Sequence, residues 1–228
     1  MAISDNVKIV KDKIAAAALT ANRKADDIIL VAASKTKPYV DIREAIGAGI
    51  TVLGENRVQE MTEKYAQNAY SGASLHFIGH LQTNKVNKVV GTADLIESVD
   101  SLDLLSLIAK RAGRLQIIQE LLLQVNIAGE TTKSGCSRQE LYELLDCAGN
   151  FPSIRVRGLM LIPPLSRLSE ENRKLFDEMH ELFVDIGSKK YDNVSMDFLS
   201  MGMSGDYTDA ILSGANMVRI GHAIFGTR

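Results

Sequence analysis

The chain has 228 residues, of which 46% are hydrophobic and 24% charged, a composition typical of a globular protein with a sizeable core. Its 26 basic and 28 acidic residues give a formal net charge of -2, so no strong field of either sign would recruit nucleic acid or an anionic membrane. Charged residues interrupt the first 21 positions and no apolar run is long enough to cross a membrane, which predicts a cytoplasmic protein with small-molecule or protein partners.

Cysteine and histidine give no sign of a metal site. Only Cys136 and Cys147 are present, without metal-ligand spacing, so we expect two reduced thiols in a cytosolic protein. The histidines lack the supporting carboxylate or cysteine clusters that metal sites show; they are His76, His80, His180 and His222. We therefore expect no bound metal.

The chain begins with a predicted amphipathic helix over residues 5–21, because apolar side chains recur there at helical spacing. After this lead-in helix, apolar β-rich runs alternate with helical segments. No Pro-, Gly- or Ser-rich linker separates them, so we expect one domain covering residues 1–228.

Eight apolar runs predict eight strands, at residues 28–33, 51–53, 75–78, 95–98, 120–125, 155–160, 198–200 and 217–220. Helices are predicted between them at residues 40–48, 57–65, 83–90, 102–112, 138–147, 171–186 and 206–213. One of these helices opens with a capping box, Ser137 to Glu140, and another carries an apolar stripe that indicates core packing.

This alternation predicts an α/β protein, a single-domain TIM (β/α)8 barrel. Eight β/α units in about 200–250 residues match that fold. A doubly wound sheet would show a glycine-rich fingerprint after its first strand. The first predicted strand is instead followed by Ser34-Lys35-Thr36-Lys37-Pro38, which favours the closed barrel.

The loops after the last two predicted strands are suited to phosphate. Such barrels build their sites at the carboxyl ends of the strands and often hold phosphate in these two loops. Residues 200–206 contain Gly202, Gly205 and two serines before a helix start, and Gly221 follows the eighth strand. Each glycine alone is explained by a tight turn, but together, at these two positions, they favour an anion site.

Lys35, Asn56 and His80 are candidate ligand contacts at the same rim. Lys35 follows the first strand, where partial desolvation favours the neutral amine that forms Schiff bases. A solvated lysine is an equally good interpretation, especially because Lys37 follows two residues later. Asn56 and His80 either face a ligand, or cap a helix and satisfy a buried carbonyl.

Five segments carry a family pattern: Ser34-Lys35-Thr36-Lys37-Pro38, Gly54-Glu55-Asn56, His76-Phe77-Ile78-Gly79-His80-Leu81-Gln82, Ser200-Met201-Gly202-Met203-Ser204 and Val218-Arg219-Ile220-Gly221. In this order they resemble the pyridoxal phosphate homeostasis protein family, also called the YggS/PROSC family. The resemblance runs from the lead-in helix to the C-terminus. It implies a fold similar to the N-terminal barrel of alanine racemase, with pyridoxal 5′-phosphate (PLP) bound as an internal aldimine and no well-established turnover.

The resemblance also implies roles for individual residues. Lys35 matches the aldimine lysine, and Arg219 matches the residue that faces the pyridine nitrogen. The phosphate cradle is implied at Ser200, Ser204 and the backbone amides of Gly221 and His222. His222 departs from the pattern, in which a small hydroxyl residue is common, so a side-chain contact to phosphate is not implied there. Asn56 and His80 match ring-side contacts.

The expected function is PLP homeostasis rather than vigorous catalysis. A guanidinium at Arg219, opposite the pyridine nitrogen, disfavours ring protonation and weakens the ring as an electron sink. Racemases of similar fold add a second acid/base group from a partner subunit, whereas this chain runs only to Arg228, so we expect a carrier or regulator. We also expect a monomer. It would hold PLP for apo PLP-dependent enzymes and affect amino-acid and keto-acid balance. The alternatives are a PLP-dependent amino-acid racemase and a barrel enzyme acting on a phosphorylated sugar or a tryptophan-pathway intermediate.

Overall fold

A computed structural model describes residues 2–129, 134–164 and 169–226. In these residues eight parallel strands pair in chain order and close into a barrel, because β1 pairs with β8 as well as with β2. The strands are β1 Ile29–Ala33, β2 Val52–Glu55, β3 Ser74–Phe77, β4 Leu95–Val99, β5 Gln119–Gln124, β6 Ile154–Met160, β7 Val194–Ser200 and β8 Met217–Ile220. The predicted (β/α)8 barrel and its eight strands are confirmed.

Helices surround the barrel. They are α1 Ile3–Thr20, α2 Tyr39–Gly47, α3 Val58–Ala66, α4 Val86–Val89, α5 Leu102–Leu115, α6 Arg138–Ala148, α7 Ser169–Gly187, α8 Tyr207–Leu212 and α9 His222–Phe225. The lead-in helix α1 buries its apolar stripe, including Val7, Val10 and Ile14, and packs against α2, α8 and α9. The predicted capping box at Ser137 and the apolar stripe of α7 are both present.

Two predictions of element boundaries were wrong. Strand β7 begins four residues before its predicted start. The prediction began too late because polar Ser195 and Asp197 interrupt the apolar run. In the structure, the Asp197 carboxylate accepts a 2.6 Å hydrogen bond from Arg157 Nε on β6. The helix predicted over residues 83–90 is a 3-10 turn, Thr83–Lys85, followed by the single turn of α4. Helix α9 was not predicted, because four residues carry too little periodicity to detect.

The barrel interior contains a small apolar cluster and buried polar side chains that include Glu97 and Ser200. The apolar cluster consists of Val31, Leu95, Leu122, Met160 and Met217. Gly54 on β2 leaves room for this packing, because a Cβ there would lie 2.9 Å from the side chains of both Val31 and Ile78. A larger apolar cluster fills the space between the strands and the surrounding helices.

Within the described ranges, no helix is long and apolar enough to cross a membrane. Neither cysteine is in a disulfide. Cys136 is buried, and burial first, with the nearby charges of Asp100 and Glu140, raises the pKa of its thiol to about 12. That thiol therefore stays protonated and unreactive at neutral pH.

Candidate binding site at the mouth of the barrel

A cavity of about 880 Å³ opens at the carboxyl ends of the strands. This is the end at which (β/α)8 barrels carry their sites. Seven of the eight residues predicted to contact a ligand line this cavity: Lys35, Asn56, His80, Ser204, Arg219, Gly221 and His222. The structure therefore brings together side chains and loops that are up to 187 positions apart in sequence.

Lys35 lies in the turn directly after β1, half-buried, with its side chain against the cavity. Strand β1 is fixed between β2 and β8, so the barrel sets the position of the strand end from which the Lys35 turn begins. Lys37 also reaches the cavity, but its Nζ donates a 2.9 Å hydrogen bond to the carbonyl of Phe225. The Lys35 amine does not make this hydrogen bond to Phe225.

The loops after β7 and β8 form one wall of the cavity. Gly202 adopts a φ of +94°, and a Cβ there would lie 2.6 Å from Ala210 Cβ, so only glycine fits this bend. Asp206 Oδ1 accepts a 2.7 Å hydrogen bond from the backbone N–H of Met203 and closes the turn. Ser204 Oγ accepts from the backbone N–H of Ala223 at 3.5 Å, which joins the two loops.

This wall carries free hydrogen-bond donors. In the part of the chain that the structure describes, the backbone N–H groups of Ser204, Gly205, Gly221 and His222 donate no hydrogen bond to another protein group. Converging backbone N–H groups of this kind make anion-binding concavities. Because Ser204 Oγ accepts from Ala223, its hydroxyl hydrogen remains available for an anion as well.

Arg219 forms the floor of the cavity and is only 4% exposed. Its Nη2 donates to the carbonyl of Leu161 at 2.7 Å, and its Nη1 donates to Ser200 Oγ at 2.5 Å. The same Nη1 lies 3.8 Å from Glu97 Oε2. The guanidinium is therefore fixed in place and cannot swing out of the cavity without breaking several contacts.

Glu97 on β4 is the buried counterion of Arg219. Its Oε1 lies 2.8 Å from His76 Nδ1, and its Oε2 accepts a 2.6 Å hydrogen bond from Ser200 Oγ. Burial by itself favours the neutral carboxyl, but the hydrogen bond and charge of His76, the charge of Arg219 and the Ser200 hydroxyl hold the pKa of Glu97 below its usual range.

Ser200 does not line the cavity, which departs from its predicted place in the phosphate cradle. It is fully buried, and its hydroxyl is engaged by both Glu97 and Arg219. As the last residue of β7, it points into the barrel below the mouth rather than into the loop. In this structure Ser200 supports Arg219 from behind.

Asn56 and His80 also line the cavity, in the segments that follow β2 and β3. Asn56 is half-buried and its Oδ1 has no hydrogen-bond partner among the described residues. It does not cap α3, because Arg57 occupies that position without a side-chain cap. His80 is exposed at the rim, so both residues are placed to contact a ligand.

Sequence reasoning missed two groups near the cavity. Asn172 on α7 is only 8% exposed, lines the cavity and donates from Nδ2 to Asp206 Oδ2 at 3.3 Å. Burial raises the pKa of Asp206, partly offset by its hydrogen bond from Met203. Glu97 was also missed; a glutamate inside an apolar predicted strand is the signal that would have identified it.

Within the described ranges, no three His, Cys, Asp or Glu side chains converge on a point that could hold a metal ion. The chemistry of the cavity is thus that of an amine, a guanidinium and a set of N–H donors. These groups suit an anionic ligand that also carries a carbonyl group.

Over residues 1–228 the sequence matches the family described as alanine racemase, N-terminal domain. It is 41% identical over 219 residues to the pyridoxal phosphate homeostasis protein of Aquifex aeolicus (strain VF5), covering 96% of this chain and 95% of the relative. The Escherichia coli (strain K12) protein of the same name is 40% identical over 230 residues, covering 99% and 97%. The structure of PipY from Synechococcus elongatus PCC7942 with PLP bound is similar, with a TM-score of 0.87 at 31% identity, covering 98% of this chain and 100% of PipY. The chain belongs to the alanine racemase N-terminal domain family and, within it, to the pyridoxal phosphate homeostasis proteins.

Proposed function

We propose that this protein binds PLP in the cavity at the barrel mouth, through a Schiff base with Lys35, and acts in PLP homeostasis. The observation that carries the proposal is one cavity lined by half-buried Lys35 and by four residues whose backbone N–H groups have no hydrogen-bond partner among the described residues. These are the two kinds of group that an aldehyde and a phosphate on one molecule require. PipY, a relative of similar structure, has been solved with PLP bound.

The residues present fit PLP group by group. The N–H groups of Ser204, Gly205, Gly221 and His222, with the Ser204 hydroxyl, would replace the hydration of the phosphate. Lys35 enters from the β1 side, where it would meet the aldehyde. Arg219 would face the ring nitrogen, and Asn56 and His80 would contact the ring; these last three assignments follow the family pattern.

The arrangement supports holding PLP rather than driving rapid turnover. When bound, PLP supplies an aldehyde that reacts with amines and a ring that withdraws electrons. Arg219, permanently charged and held against Glu97, disfavours a proton on the ring nitrogen and so limits that withdrawal. We propose a cytoplasmic monomer that transfers PLP to apo PLP-dependent enzymes, affects amino-acid and keto-acid balance, and engages neither nucleic acid nor membrane.

The lysine assignment predicts where PLP becomes fixed. After saturation with PLP and borohydride reduction, peptide mass mapping should place the pyridoxyl group on Lys35 and not on Lys37. The reason is that Lys37 Nζ is engaged by the Phe225 carbonyl, whereas Lys35 faces the cavity without that contact.

A pyridoxyl group on Lys37, or on a lysine outside the cavity, would overturn this site. A protein that stays colourless after PLP saturation would favour an enzyme acting on another phosphorylated compound. The racemase alternative is tested on the same holoprotein with single L-amino acids in deuterated water, because a racemase must exchange the α-proton. We expect no exchange above that of free PLP.

Ser204→Ala is expected to weaken PLP binding about ten- to a hundredfold, because it removes one charge-assisted hydrogen bond worth about 1.5–3 kcal/mol. Isothermal titration of PLP into each apoprotein measures the change. Ser71→Ala is the matched control, since Ser71 is exposed in the loop before β3, at the other end of the barrel. If Ser204→Ala binds PLP as tightly as Ser71→Ala, the serine only joins the two loops.

A further inference from the structure

A buried ion pair lies between the first two strands and α3, beside the cavity but outside its wall. Lys64 Nζ donates to Glu55 Oε1 at 2.7 Å and to the carbonyl of Ser34 at 2.9 Å. The hydroxyls of Ser34 and Tyr70 also donate to Glu55 Oε1, at 2.7 and 3.1 Å. Lys64 is 8% exposed and Glu55 is fully buried, so this cluster is closed to solvent.

This cluster holds the backbone on both sides of Lys35. On one side, the carbonyl of Ser34 accepts from Lys64. On the other side, the backbone N–H of Thr36 donates to Glu60 Oε2 at 2.7 Å, and that oxygen lies 3.7 Å from Lys64 Nζ. The Lys64 ammonium group therefore contacts Ser34 directly and Thr36 through Glu60. These two residues are the chain neighbours of Lys35.

The turn that Lys35 occupies is not one its sequence favours. Thr36 has a φ of +62°, in the left-handed region that β-branched residues rarely adopt. Such a conformation persists only where the surrounding contacts fix it. Here those contacts are the Thr36 hydrogen bond to Glu60 and a 3.1 Å hydrogen bond from the N–H of Lys37 to the carbonyl of Ser34.

Net stability alone does not account for Lys64. The desolvation of a buried Lys–Glu pair offsets most of its attraction, and apolar residues of similar size often replace such a pair without loss. Apolar side chains would fill this space, but they could not hydrogen-bond to the Ser34 carbonyl or attract the Glu60 carboxylate, which accepts from the Thr36 N–H. Moreover, Lys64 is the cation that the structure pairs with the buried Glu55 carboxylate among the described residues.

We propose that Lys64 is a positioning residue for Lys35: with Glu55 and Glu60 it fixes the turn after β1 so that the Lys35 amine faces the cavity. This inference rests on the proposed function, in which Lys35 is the lysine that captures PLP. In that step the Lys35 nitrogen bonds to the aldehyde carbon and the carbonyl oxygen leaves as water. If the turn is correctly placed in only a fraction of the molecules, the apparent affinity for PLP is the intrinsic affinity multiplied by that fraction.

The test compares Lys64→Met with Lys88→Met, which removes an exposed lysine on α4. Three quantities are measured: PLP fixed by borohydride at a limiting PLP concentration, affinity for pyridoxine 5′-phosphate, and hydrogen exchange of the Thr36 amide in the apoprotein. Pyridoxine 5′-phosphate carries the phosphate and ring but an alcohol in place of the aldehyde, so it cannot bond to Lys35.

For Lys64→Met we expect PLP affinity to fall about tenfold and Thr36 to exchange about tenfold faster, with pyridoxine 5′-phosphate affinity unchanged within about twofold. Lys88→Met should match the wild type in all three. Equal losses for PLP and pyridoxine 5′-phosphate would mean that Lys64 supports the fold in general and would overturn the proposal, as would unchanged PLP capture.

If Lys64→Met does not fold, Glu60→Ala replaces it, because Glu60 is only partly buried, its loss leaves the Lys64–Glu55 pair intact, and alanine cannot accept the Thr36 N–H. It should lower PLP affinity about threefold and speed exchange at Thr36; wild-type values for both would overturn the proposal. Failure of the proposed function itself is distinguishable, because wild-type protein would then fix no PLP at Lys35, while Thr36 exchange in the apoprotein would still report on the turn.

Discussion

Replacing Lys35 with alanine should abolish covalent capture of PLP while leaving a folded barrel. The lysine and the free N–H groups are separate parts of the cavity, one supplied by the turn after β1 and the other by the loops after β7 and β8. Affinity for PLP should fall by about two orders of magnitude. Affinity for pyridoxine 5′-phosphate, which keeps the phosphate and ring contacts but forms no bond to Lys35, should be unchanged.

Calorimetry with both compounds measures this difference, and thermal unfolding provides a second measure. A ligand that binds only the folded state stabilises it by RT ln(1 + [L]/Kd), so PLP should raise the melting temperature of the wild type much more than that of Lys35→Ala. Lys37→Met is the matched control and should still capture PLP. Retained covalent capture in Lys35→Ala, or lost capture in Lys37→Met, would contradict the assignment.

The same variant tests the homeostasis role in cells. A deletion strain carrying Lys35→Ala should show altered levels of B6 vitamers and altered amino-acid pools, without losing a single enzymatic step. A profile identical to that of the wild type would show that the cellular function of the protein does not depend on covalent capture of PLP. Accumulation of one substrate with loss of its product would instead indicate an enzyme.

The fold was predictable because the strands of a parallel barrel are buried on both faces and read as continuous apolar runs. Strand β7 shows the limit of that signal. Its first half contains Ser195 and Asp197, and it belongs to the strand because its backbone pairs with the neighbouring strand β6. Arg157 on β6 also pairs with Asp197. That partner is 40 positions away, so no local pattern predicts it.

Part of the site was predictable for a similar reason. Lys35 and the residues around Ser204 and Gly221 follow strands directly, and barrel geometry brings strand ends together. The contacts among the polar groups beneath them were not predictable, because Glu97 meets Ser200 across 103 positions of sequence. The family pattern assigns Ser200 to the phosphate cradle, whereas in the structure its hydroxyl contacts Glu97 and Arg219 in the barrel interior.

Replacing Arg219 with methionine should destabilise the apoprotein by about 3–5 kcal/mol at neutral pH, the usual cost of leaving one partner of a buried ion pair uncompensated. Glu97 would keep its contacts with His76 and Ser200 but would lose the guanidinium 3.8 Å away. Urea unfolding of apoprotein measures the change. Arg157→Met is the matched control and should cost about 1 kcal/mol or less, because its two ion pairs are partly exposed.

The dependence of this loss on pH separates charge from packing. In the wild type the pKa of Glu97 is held below its usual range, so the stability it contributes is present above the ordinary glutamate pKa of about 4.3 and is lost only as pH falls through the lower folded value. Without Arg219 one of the causes that lower this pKa is gone. In Arg219→Met, Glu97 therefore takes up a proton at a higher pH, and this proton removes the uncompensated charge. The difference in unfolding free energy between wild type and Arg219→Met should then become smaller as the pH falls from 7 toward 4.

The double variant Glu97→Gln/Arg219→Met completes this test, because it removes the carboxylate together with its counterion. It should be less destabilised than Arg219→Met alone, and its unfolding free energy should lack the pH dependence that Glu97 contributes. A loss that is the same at every pH, and the same in the single and double variants, would mean that Arg219 acts through packing and not through Glu97. In that case the buried carboxylate would not hold the guanidinium at the floor of the cavity, and its position there would depend on the hydrogen bonds to Leu161 and Ser200 alone.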